Sequence, residues 1–158
     1  MSRARKSRTY VDSGVLITAV AGVEPLRTRA IEALSQRGRE YLCSEFSEFE
    51  TIAPAQFAGK LEEVEKLRGY FARMRRARVS LRRLLEKAFE VASTEGVFRL
   101  DAFHVAAATR AGCAELITTE LPQSRLHRAR GIRVVYLGDA ELQAGVARAR
   151  ARARRPRR

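Results

Sequence analysis

Thr9-Tyr10-Val11-Asp12-Ser13-Gly14 is a short β-type run that ends on an aspartate and breaks at once into a Ser-Gly step. An acid at that point has a physical meaning in an open parallel sheet, where functional groups gather beyond the carboxyl ends of the strands. Tyr41-Leu42-Cys43, Leu116-Ile117-Thr118 and Ile132-Arg133-Val134-Val135-Tyr136-Leu137 are further strand candidates. Between them, Leu26, Ala30, Ile31 and Leu34 recur at helical spacing up to Gly38, and Phe46, Phe49, Ile52 and Ala53 suggest a short helix that Pro54 helps to end. Segments 60–77 and 79–93 read as two amphipathic helices forming a protruding pair, and a further helix begins at Asp101 and stops near Gly112. Strands alternating with helices predict an α/β fold: a mostly parallel central sheet flanked by helices.

The 158 residues suit one domain, and 46% apolar content is enough to bury a core. The expected division is a basic arm over 1–8, a folded domain over 9–147 with one more helix after Gly138, and an Arg-rich, disordered tail over 148–158. The formal charge of +13 first suggests a polyanion partner. Eleven of the 31 basic residues lie in 1–9 and 148–158, which hold no acid, so residues 10–147 carry only +2. The cluster Arg73, Arg75, Arg76, Arg78, Arg82 and Arg83 either faces RNA phosphates or forms a solvated helix face. Residues 3–23 imitate a secretory signal, but Asp12 interrupts it and cleavage after Ala21 would delete the best strand. No apolar run reaches the roughly 20 residues that span a bilayer. Cys43 and Cys113 are expected to be buried, inert thiols, and so few cysteines suit a reducing cytoplasm.

Only three of the 18 acids are aspartates, at positions 12, 101 and 139. Asp12 ends the first strand, Glu50 lies on the helix after the second, Asp101 starts the helix before the third, and Glu120 follows the third in Thr118-Thr119-Glu120. Four carboxylates from distant segments can thus converge on one sheet edge. Unneutralised, they would raise one another's pKa. Mg²⁺ or Mn²⁺, which favour carboxylate and water oxygens, reverses that cost, and such a metal can activate water against a phosphodiester. Two histidines and no spaced Cys/His set make zinc a poor fit. There is neither a P-loop nor a G-x-G-x-x-G fingerprint.

Tyr10-Val11-Asp12-Ser13-Gly14-Val15-Leu16 resembles the opening strand of PIN-domain ribonucleases. Ser44-Glu45-Phe46-Ser47-Glu48-Phe49-Glu50-Thr51 is similar to their second acidic motif, Leu100-Asp101-Ala102-Phe103-His104-Val105-Ala106-Ala107-Ala108 to their third, and Leu116-Ile117-Thr118-Thr119-Glu120 to their fourth. The motifs span about residues 9–137 in the family's order, and the chain looks most like a VapC-type toxin of a type II toxin–antitoxin pair. The resemblance implies a single PIN-like domain and a Mg²⁺- or Mn²⁺-dependent endoribonuclease leaving 5′-phosphate and 3′-hydroxyl ends. It also implies a homodimer and a cognate antitoxin that covers the cleft. Asp12, Glu50 and Asp101 match the family's metal-holding acids. Glu120 stands where Asp is more usual, and its longer side chain points to contact through water.

Several residues carry two readings. Glu45 and Glu48 are rivals for the second acid, with Glu50 preferred for its register with Phe46 and Phe49. Asp101 also suits a helix N-cap, and Asp12 a turn. Ser13 and Thr118 would hydrogen-bond a ligand carboxylate or a phosphate, or cap local backbone. His104 is read as a helix-packing residue rather than a general base, because an acid-and-metal mechanism needs no histidine. Two other functions compete with a nuclease: a PIN-like RNA-binding or assembly module without turnover, and a basic DNA- or membrane-surface protein acting through its tails.

Overall fold

The computed structural model describes residues 6–138, so most of the arm, the helix expected after Gly138 and the Arg-rich tail lie outside the described residues. The described elements run β1 (Ser7–Val11), α1 (Ser13–Ala21), α2 (Leu26–Ala33), β2 (Arg39–Cys43), α3 (Glu45–Phe57), α4 (Leu61–Phe71), β3 (Arg75–Arg76), α5 (Leu81–Glu95), α6 (Leu100–Arg110), β4 (Glu115–Thr118), a 3₁₀ turn (Arg125–Arg128) and β5 (Arg133–Tyr136). All neighbouring strands pair in parallel, in the order β3-β2-β1-β4-β5.

β1 is central, and side chains on a strand alternate between faces. Tyr10, Leu42 and Leu116 therefore enter one core with α5 and α6, while Val11, Cys43 and Ile117 enter the other with α1, α3 and α4. With both faces covered, Thr9, Tyr10 and Val11 are all fully buried, which is why β1 reads as a short apolar run without polar alternation. Burying side chains such as Leu116 and Ile117 stabilises the fold by about 1.5–3 kcal/mol each.

Four details depart from the sequence reading. First, β1 begins at Ser7, so Arg8 belongs to the sheet, where its guanidinium donates to Glu40 (2.9 Å) and to the Ala111 carbonyl (2.8 Å). Second, α3 runs through Pro54 to Phe57. Proline removes one backbone donor near the helix end, and Thr51 and Ala55, buried on the α4 side, hold the helix beyond it. Third, the helix expected over 60–77 stops at Phe71, and Arg75–Arg76 leave it to form an edge strand on β2. Arg75 pairs with Glu40 and Arg76 with Glu48, so the strand's charges are compensated where it docks. Fourth, the two long helices are not a protruding pair: α4 buries Val64, Leu67 and Phe71 on one face of the sheet and α5 buries Leu84, Ala88 and Val91 on the other.

Candidate active site

The chain visits β1, β2 and β3 outward on one side and then crosses back to place β4 against the other side of β1. That reversal opens a crevice beyond the carboxyl ends of β1 and β4, the place where open α/β sheets bind ligands. Asp12 leaves β1 there, and Thr118 and Glu120 leave β4. A cleft of about 640 Å³ opens at this edge, with Asp12, Glu50, Asp101 and Glu120 in its lining beside Ser13 and Gly14. The four acids singled out from sequence therefore share one cavity.

Asp12 stands at the N-cap of α1, but its side chain makes no capping bond. Its Oδ2 accepts a hydrogen bond from Thr118 Oγ1 at 2.8 Å, and its backbone N–H donates to the Ile117 carbonyl at 3.1 Å. Thr118 Oγ1 in turn accepts from the Glu120 N–H at 3.0 Å, so one hydroxyl orients both ends of the crevice. Ser13 Oγ donates to Glu50 at 2.5 Å. Both hydroxyls thus serve acids of the cleft, and Thr118 also caps local backbone. Asp101 is not an N-cap: Arg99 holds that position, with a positive φ of 61°, and Asp101 lies in the first turn of α6. Its charge there complements the positive end of the helix.

Glu50 is selected over its rivals by the docking of α3 on α6. Phe46, one turn before it, packs on Phe103 with ring centroids 4.8 Å apart. Beside that contact, Glu50 Oε2 lies 2.5 Å from His104 Nε2. Glu48 instead turns toward the sheet edge and pairs with Arg76, and Glu45 is exposed.

His104 is buried, as its packing role requires, but it also belongs to the site. Its Nδ1 lies 2.9 Å from the Tyr10 hydroxyl, which donates to Ser44 Oγ at 2.7 Å. With that hydroxyl donating to Ser44, its oxygen is free to accept from Nδ1, while Nε2 faces the Glu50 carboxylate. Burial opposes charge on the imidazole, yet the Glu50 hydrogen bond and the Asp12, Glu50 and Asp101 carboxylates raise its pKa on balance. Glu50 is shifted down: burial works against its charge, but His104 and Ser13 outweigh it. His104, read from sequence as packing alone, also holds Glu50, and Tyr10 and Ser44 are supports that sequence reasoning passed over, because each looks like an ordinary core or cap residue. Gly14 is another. A Cβ there would stand 2.8 Å from Thr119 Oγ1 and 3.4 Å from Asp12 Oδ2, so a side chain at this position would push the Thr119 hydroxyl aside next to the Asp12 carboxylate.

Asp101 is pushed up to about 6, first by burial and then by the Glu120 and Asp12 charges, with His104 opposing. Asp12 is raised by burial above all, with Glu120 and Glu50 adding repulsion against His104 and Thr118. A cluster so strained by like charge, built of oxygen donors alone, suits a hard divalent cation in donor chemistry. Among the described residues, however, no three His, Cys, Asp or Glu side chains form a group able to hold a metal directly. Glu50 is already engaged by Ser13 and His104. The fit is therefore to an ion that keeps several waters, as Mg²⁺ does, with some carboxylates reached through them.

The two cysteines are free, Cys43 buried and Cys113 half-buried, and burial pushes their thiols up to about 11 and about 12. Among the described residues no helix is long and apolar enough to cross a membrane.

No family model matches the sequence, and no curated protein matches it. Solved structures do match the fold. A chain from the VapBC2 complex of Rickettsia felis, bound to a DNA fragment from its promoter, superposes with a TM-score of 0.62 at 12% identity, covering 82% of this chain and 98% of that one. A chain from DNA-bound VapBC of Salmonella typhimurium gives 0.59 at 16% identity, covering 84% and 99%. At such low identity the likeness establishes the fold and nothing beyond it.

Proposed function

We propose, from the premise that this chain has the VapC-like PIN fold, that it is a Mg²⁺- or Mn²⁺-dependent endoribonuclease and the toxin of a type II toxin–antitoxin pair. The observation that carries the reading is the convergence of Asp12, Glu50, Asp101 and Glu120 on one cleft at the sheet's switch point. Asp12 and Asp101 would hold the ion, with Glu50 and Glu120 acting through its waters. When bound, the ion would supply charge neutralisation for the acids and electrophilic stabilisation of the phosphodiester under attack. Thr118 fixes the Asp12 carboxylate, and Ser13 with His104 fixes Glu50, so these groups keep their places without reorganisation.

An antitoxin is the natural partner, since both structural neighbours are toxin–antitoxin complexes. The cleft offers it an apolar wall: Ile17, Phe49 and Phe57 are 46%, 68% and 96% exposed beside the acids. A segment laid on that wall would also block the cleft. The Leu81, Leu85 and Phe89 stripe of α5 is left for a homodimer contact. RNA cleavage with Mg²⁺, its loss in EDTA and its return on adding Mg²⁺ test the activity. RNA binding with no cleavage under any divalent ion would assign the chain to the inactive RNA-binding alternative.

A further inference from the structure

The arginine cluster of residues 73–83 is sorted by the fold into spent and unspent charges. Arg75 donates to Glu40, Arg76 pairs with Glu48, Arg82 donates to Glu86 at 3.0 Å, and Arg73 lies over the Tyr70 ring at 5.0 Å. Arg78 and Arg83 have no carboxylate partner among the described residues, and neither has Arg110 at the end of α6. These three line one concave site of about 250 Å³, together with Val79 and Ser80. Arg110 joins them because α5 and α6 are antiparallel neighbours, which sets the end of one beside the start of the other.

The same spot is the N-terminus of α5, a 15-residue helix capped by Ser80. The positive end of a helix favours acids in its first turn, and this one has none there. Arg83 stands in that turn with no described carboxylate beside it, while Arg82 is held by Glu86, so the local charge is positive from the Arg83 side chain and the backbone together. Three arginines with no carboxylate partner among the described residues, a helix start and a hollow of about 250 Å³ make a site for an anion.

We infer that Arg78, Arg83 and Arg110 form a phosphate-binding pocket that grips the backbone of the RNA strand at a distance from the cleavage point. The inference rests on the ribonuclease reading for the identity of the strand. Asp101 and Arg110 are nine residues apart on α6, about 14 Å at the rise of an α-helix. To reach both, a strand with one phosphodiester in the acidic cleft would run the length of α6, toward the amino end of β1 where Arg8 meets Ala111. Such a contact suits a cleft whose own acids repel RNA, because it supplies the attraction elsewhere without reading sequence.

The test is fluorescence anisotropy of a labelled 15-nucleotide single-stranded RNA with the full chain in EDTA, titrated over a range of KCl. Arg78→Ala/Arg110→Ala is expected to weaken binding roughly tenfold and to lower the log–log salt slope by about 0.7, the value for one phosphate of a single strand. Arg83→Ala alone should move both in the same direction by less. Arg82→Ala removes the same single charge as Arg83→Ala, but outside the pocket, and should leave both unchanged. Thermal melts confirm that each variant is folded. Equal losses in Arg82→Ala and the double variant would overturn the pocket, as would no loss in the double variant or no RNA binding by the unmodified chain. Displacement of the RNA by millimolar inorganic phosphate at matched ionic strength would assign the pocket to a free anion and overturn the strand. Mg²⁺-dependent cleavage by the same preparation separates the two claims. Cleavage with unaltered binding in the double variant removes the pocket alone, and a pocket effect without cleavage removes the nuclease alone.

Discussion

His104 Nε2 lies 2.5 Å from Glu50 Oε2, joining the buried face of α6 to an acid of the cleft on α3. The imidazole is held from behind by Tyr10, whose hydroxyl is anchored on Ser44. Glu50 is thus positioned by a chain of three buried side chains, Ser44, Tyr10 and His104, that passes through the central strand. His104→Phe keeps the volume and removes that hold. We expect cleavage to fall by about 10- to 100-fold and the Mg²⁺ concentration for half-maximal rate to rise. Tyr10→Phe leaves His104 and Ser44 short of a partner and should cost about 1–3 kcal/mol in denaturant unfolding, with a smaller effect on rate. An unchanged Mg²⁺ requirement in His104→Phe would reduce the histidine to packing.

Glu48 and Glu50 are two residues apart and face different surroundings. Glu50→Gln should take cleavage to background, because the cleft loses a carboxylate and His104 keeps an acceptor but loses the negative charge beside it. Glu48→Gln breaks only the pair with Arg76 at the sheet edge, costing at most about 1 kcal/mol of stability with turnover retained. The reverse ranking in an RNA-cleavage assay would move the second acid to Glu48.

The acids also set how stability depends on pH. Asp101 rises in the fold from an ordinary 3.8 to about 6, so the folded state favours its protonated form. Its favourable contribution is present below 3.8 and is lost as pH rises through about 6. His104, also raised, loses its charge pair with Glu50 as pH climbs further. The metal-free protein should therefore melt lower at pH 7 than at pH 5, and Asp101→Asn should flatten that difference while abolishing cleavage. Added Mg²⁺ should raise the melting temperature more at pH 7 than at pH 5, since protons compete for the same oxygens. A melting temperature that climbs from pH 5 to pH 7 in EDTA would contradict this.

Gly14→Ala offers a steric test. Alanine is the better helix former by about 0.5–1 kcal/mol, but its methyl would press on Thr119 Oγ1 and crowd Asp12. We expect near-unchanged thermal stability with a several-fold loss of RNA cleavage. A fully active Gly14→Ala protein would mean the β4 loop yields without disturbing Asp12.

The convergence of the four acids on one cleft was legible from chain order, because Asp12 and Glu120 follow the ends of β1 and β4 and Asp101 opens the helix that leads into β4. Glu50 joins them once Phe46 fixes which side of α3 faces α6. The supports were not legible. Tyr10 and His104 are 94 residues apart in sequence, and only the packing of α6 on the sheet makes them neighbours. Arg75–Arg76 carries no β-forming residue, so nothing local marks it as a strand; Glu40 and Glu48 make it one from across the chain. The basic cluster likewise looked uniform until its partners were known.

The most direct measurement compares RNA cleavage by the unmodified chain and by Asp12→Asn in the same Mg²⁺ buffer. Asn keeps the shape and the acceptor for Thr118 but removes the buried negative charge. The expected result is Mg²⁺-dependent cleavage by the unmodified chain, leaving 5′-phosphate ends, and none by a folded Asp12→Asn protein. Equal rates for the two proteins would contradict the assignment of this cleft as the catalytic site.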